Sequence, residues 1–174
     1  MKNARLSSML SVAALLTGLS LIALFPQQAA AQDPSVVPVP GTYLITNVYS
    51  SGTQKGEFAS RGAITLNADH TFSVIDSAEG GPTYYFGSYL GTWGVTSAGV
   101  VGRAVNFTYP PPSGAPLPTD PLARLDYTFN FGSDGTISGT IALYYFPLTA
   151  DHPFGSGGVS GGTYTFTGYL VTLP

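Results

Sequence analysis

The chain has 174 residues, of which only 9% are charged, with six Lys or Arg against nine Asp or Glu, a net charge of −3 and no cysteine. So few cations, none of them clustered, argue against binding nucleic acid or anionic lipid by displacing counterions. The missing thiol rules out disulfides, a lipid-modified cysteine anchor and cysteine chemistry.

Residues 1–31 have the grammar of a cleaved secretory signal. Lys2 and Arg5 precede a mostly apolar run, Pro26 breaks it, and Ala29-Ala30-Ala31 supplies small residues for cleavage. The product is expected to be secreted or periplasmic, with no stable membrane anchor left after cleavage. Residues 32–40, with Pro34, Pro38 and Pro40, read as a flexible leader. Residues 41–174 are then one domain, long enough to be stabilised by its own core.

Gly41-Thr42-Tyr43 opens a first strand that runs to about Tyr49, with Tyr43, Ile45, Asn47 and Tyr49 on one face. A polar loop leads to a second strand at 58–66. Ile64-Thr65-Leu66 and Phe72-Ser73-Val74 alternate on either side of Asn67-Ala68-Asp69-His70, a hairpin signal. The third strand covers 71–76, and Glu79-Gly80-Gly81-Pro82 is a turn by composition. Residues 83–95 are the most aromatic segment, and residues 100–109 form a cleaner strand. Residues 110–121 hold six prolines, which exclude a strand interior and predict an exposed, stiffened loop. A second Asp-turn hairpin, 125–131 and 136–146, repeats the first around Ser133-Asp134-Gly135. After a Gly-rich irregular stretch, 163–173 is the closing strand.

The pattern predicts an all-β domain, a single antiparallel meander of about eight strands closed into a barrel, since closure removes exposed edges. A two-sheet β-sandwich is the alternative. An internal echo supports the barrel: Gly-Thr-aromatic occurs at Gly41-Thr42-Tyr43, Gly91-Thr92-Trp93 and Gly162-Thr163-Tyr164.

Gly41-Thr42-Tyr43 behind a Pro-rich leader resembles the Gly-x-Trp opening of lipocalins and related calycin barrels, with Tyr in place of Trp. Gly91-Thr92-Trp93 is similar to strand openings in avidins and fatty-acid-binding proteins. Two features depart from the lipocalin pattern: the sole Trp lies mid-chain, and no Arg follows Arg124. The resemblance implies a barrel that holds a small apolar ligand.

Catalytic parts are scarce. His70 sits in a hairpin turn and His152 in a Gly/Pro loop, and no nucleophile-elbow, zinc or phosphate-loop motif occurs. Asp69 and Asp134 read as turn residues. No catalytic set, metal site or cofactor is expected. Arg103 shares a strand face with Val101, Val105, Phe107 and Tyr109. If that bulkier face points inward, Arg103 needs a partner, either Asp76 or an anionic ligand group. Tyr43, Tyr85, Tyr127 and Tyr145 lie in phase with apolar faces. Together with Trp93, Arg103 and Phe107 they are the candidate ligand-binding residues. Tyr84, Phe86, Tyr144 and Phe146 lie on opposite faces, so a further covered surface is expected; a homodimer, a loop lid or membrane contact could supply it.

The leading expectation is an exported barrel that binds a small apolar or amphipathic ligand. The alternatives are a non-catalytic structural or interaction module of the cell envelope or extracellular matrix, and a small outer-membrane barrel.

Overall fold

The computed structural model describes residues 38–81, 85–110, 114 and 119–173; the signal and most of the leader lie outside them. Eight strands follow one another: β1 (Gly41–Tyr49), β2 (Phe58–Leu66), β3 (Thr71–Asp76), β4 (Tyr89–Thr96), β5 (Gly99–Phe107), β6 (Leu122–Phe131), β7 (Thr136–Phe146) and β8 (Val159–Leu170). Each pairs antiparallel with its neighbour in sequence, and β8 closes onto β1, so the meander is a barrel and not a sandwich.

Antiparallel order puts alternate connections at opposite ends. One end carries the tight turns at 67–70, 97–98 and 132–135. The other carries the long connections at 50–57, 77–88, 108–121 and 147–158. This asymmetry organises the molecule.

Period-two patterning sorts the residues between inside and outside. Tyr43 and Ile45 of β1, Ile64 and Leu66 of β2, and Phe72 and Val74 of β3 are buried inside. Outside, cross-strand rows are mainly polar: Thr71, Thr92, Arg103 and Asp126 form one, and Thr128, Thr140 and Thr165 another. A transmembrane barrel has the reverse arrangement, apolar outside and polar within. Two apolar patches interrupt the polar exterior: the row Tyr169, Leu44, Ala63 and Ile75, and Leu90 with its cross-strand neighbour Val105 beside exposed Phe107.

The tight-turn end is packed solid. Phe129 stacks on Tyr127 and meets Phe72 and Phe166 edge-on at 6.0 Å. Trp93 plugs the floor, its indole N–H donating to the Asn67 carbonyl at 3.0 Å. The Tyr43 hydroxyl donates to the Val39 carbonyl at 2.7 Å, which ties the last leader residues to the barrel.

This packing reverses the expected orientation of β5. Val100, Gly102, Ala104 and Asn106 point inward, while Arg103 and Phe107 are exposed outside. The bulkier face has no room inside, because the rings of Phe72 and Phe129 from other strands occupy that space. A Cβ on Gly102 would lie 2.8 Å from Phe129 and 3.1 Å from Phe72. Arg103 pairs with Asp126, its cross-strand neighbour, and not with Asp76.

The aromatic segment also differs from expectation at its start. Ladder pairing between β3 and β4 stops at Val74↔Tyr89, and among the described residues 85–88 only Phe86 bridges onward, to Thr108. Tyr84 lies outside the described residues.

The cover over the outward aromatics of β7 is the 147–158 connection, folded against the barrel exterior. Arg124 is 5% exposed although it points outward. Its guanidinium lies over Tyr144 and Phe146 and donates to the Pro153 and Gly155 carbonyls at 2.6 and 2.7 Å. Arg103 donates to the Phe154 carbonyl between them at 2.9 Å. Asp126 accepts a hydrogen bond from Arg103, forms an ion pair with Arg124 and braces the clamp.

Candidate functional site

Above the aromatic floor the interior opens into a cavity of about 710 Å³ that reaches the long-loop end. Aromatic residues stand in its wall among smaller apolar and polar ones: Tyr49, Phe86, Tyr89, Tyr127, Tyr145 and Tyr164. Ile45 and Val74 rise from the floor, and Leu143 lies opposite on β7. A volume in this range, apolar walls and a few polar groups are the ordinary makings of a small-molecule pocket.

The polar groups come from strand positions that continue the inward alternation toward the mouth. Asn47 follows Tyr43 and Ile45 on β1, Ser60 faces it across the ladder on β2, and Asp76 follows Phe72 and Val74 on β3. The Asn47 amide N–H donates to Ser60 Oγ at 2.9 Å and to Asp76 Oδ2 at 3.1 Å. Ser60 Oγ donates to the same carboxylate oxygen at 2.8 Å. The other oxygen, Asp76 Oδ1, accepts from the Ala78 backbone N–H, and Glu79 accepts from that of Asp76. Where β3 parts from β4, these bonds replace the lost ladder. Across the cavity, Asn106 donates to the Gly87 carbonyl at 3.2 Å.

Two buried acceptors in this set are unsatisfied, Asn47 Oδ1 and Asn106 Oδ1. Both residues line the cavity. Burial and the nearby Asp76 carboxylate also push the Tyr89 and Tyr127 phenols well above their ordinary range, so both hydroxyls stay neutral and able to donate.

The candidate residues separate clearly. Tyr127 and Tyr145 line the cavity. Tyr43 and Trp93 belong to the packed floor, and Tyr85 sits in the 77–88 connection with its ring 6.2 Å from Tyr109. Arg103 and Phe107 are outside the barrel. Asn47, Ser60, Asp76 and Asn106 were absent from the candidate set, although each is a polar residue in phase with an inward run.

Asp76 and Asp120 are the acids of the cavity lining, which contains no Lys, Arg or His among the described residues. His70 lies tilted against Trp93 in a turn at the packed end, and His152 is exposed in the 147–158 connection. No family model matches the chain, and neither the curated proteins nor the solved structures include one significantly similar to it.

Proposed function

We propose that this protein is an exported, lipocalin-like barrel that binds one small, largely apolar or amphipathic molecule in the open half of its interior. The observation that carries this reading is the division of the interior. Aromatic rings fill one end, while the other keeps a cavity of about 710 Å³ bordered by three of the long connections, 50–57, 77–88 and 108–121. Eight strands give a barrel just wide enough for side chains to fill or for one small ligand. A barrel serving only as a scaffold would gain stability by filling both ends. The mainly polar outer rows support a barrel that works in water over one embedded in lipid. The likeness to lipocalins rests on the Gly-Thr-aromatic openings and the architecture, a fold-level analogy.

Native mass spectrometry on residues 32–174, exported by a bacterial host and purified without detergent, tests the reading. We expect a discrete adduct, or an empty barrel that takes up the neutral apolar dye Nile red at one molecule per chain. An empty barrel that binds no neutral apolar probe would overturn it.

A further inference from the structure

Building on that reading, we propose that the cavity takes a ligand whose polar end is uncharged or cationic, and that it rejects anions. The amide oxygens of Asn47 and Asn106 are covered as well as unpartnered, so they do not select the ligand. The charges that line the space do.

Asp76 and Asp120 lie in the lining, while the four cations after the signal lie elsewhere. Lys55 is exposed in the 50–57 connection, Arg61 is exposed on β2, and Arg103 and Arg124 clamp the exterior. An anionic head entering the cavity would leave water beside two carboxylates with no cation to pair it. Tyrosine hydroxyls can donate to such a head but cannot neutralise it. An ammonium head would gain from the aromatic wall as well as from the acids.

Four probes with one apolar body separate these requirements: 2-naphthalenemethanol, 2-naphthylmethylamine, 2-naphthoic acid and 2-methylnaphthalene, titrated calorimetrically near neutral pH. We expect the alcohol and the ammonium to bind about tenfold or more tighter than the naphthoate. Asp120→Asn, which removes one of the two lining charges, should narrow that gap while the hydrocarbon still binds. Naphthoate binding as tightly as the alcohol would overturn the selectivity and leave the binding reading standing. Failure of all four probes would defeat the binding reading itself, and the selectivity with it.

Discussion

Asp69 and Asp134 do the same work in two turns. Each Oδ1 accepts from the backbone N–H and the hydroxyl of the threonine two residues on, at 3.0 and 2.6 Å for Thr71 and at 3.1 and 2.7 Å for Thr136. These bonds favour the charged carboxylate and lower both pKa values from the usual 3.8, the threonine side-chain bond contributing most. The turns share backbone geometry too: Gly135 has φ of 81°, and His70, in the matching place, has 68°. The histidine is held there by its ring contact with Trp93, at 4.9 Å. Because the folded pKa values are depressed, the carboxylates contribute stability above the unfolded value of about 3.9 and lose it as pH falls through the folded values. Thermal melting of the Asp69→Asn/Asp134→Asn variant should therefore run below wild type at neutral pH and converge with it as the pH drops below about 4. Parallel curves across that range would show that the charge is irrelevant. These turns were legible in the sequence because the Asp–Thr bonding is local. The side on which Arg103 falls was not, since a strand's inward face is decided by what its neighbours put inside. The rings of Phe72 and Phe129 make that decision.

At the scale of elements, strands and connections differ in how far the sequence reveals them. β1, β2, β3 and β7 stand where alternation and turn chemistry put them. β4 starts at Tyr89, later than the aromatic composition from residue 83 suggests, because β3 has ended there and no partner remains. The 147–158 connection was legible only as irregular Gly-rich chain. Its position depends on Arg124 and Arg103, whose chain neighbours give no hint that three successive backbone carbonyls will meet them. Arg124 is the more buried anchor, and its loss would strand the Pro153 and Gly155 carbonyls. Arg124→Met keeps much of the apolar stem but none of the donors. Hydrogen bonds from charged groups are worth about 1.5–3 kcal/mol each, with partial recovery from water here. We expect a loss of about 2 kcal/mol in urea unfolding. Native-state proteolysis should also become faster within residues 147–158. Unchanged cleavage there would mean that Tyr144 and Phe146 hold the connection without the arginine.

The whole barrel behaves as two halves with different duties, and mutations should separate them. Stability resides at the tight-turn end, where Phe129 is buried among Phe72, Tyr127 and Phe166. Removing such a ring leaves a void that rigid strands cannot close, so Phe129→Ala should cost about 3–5 kcal/mol. Leu143 lines the open half and is only partly buried. Leu143→Trp adds bulk where space already exists, so it should cost little stability while taking volume from the ligand. Nile red binding should fall about tenfold or more in Leu143→Trp, with its melting temperature near wild type, because a lost apolar contact area of one ring is worth more than 1.4 kcal/mol. Phe129→Ala should show the opposite pairing: a much lower melting temperature, with probe affinity close to wild type at temperatures where it remains folded. If both substitutions moved stability and binding together, the interior would be one cooperative core and the open end merely loose packing. The sequence hid this division for a physical reason. Tyrosines of floor and wall occur in the same alternating pattern, and Tyr43 differs from Tyr145 only in its height along the barrel. That height is set by strand stagger and by the ring of connections above it, with four short polar residues, Asn47, Ser60, Asp76 and Asn106, marking the level where packing gives way to space.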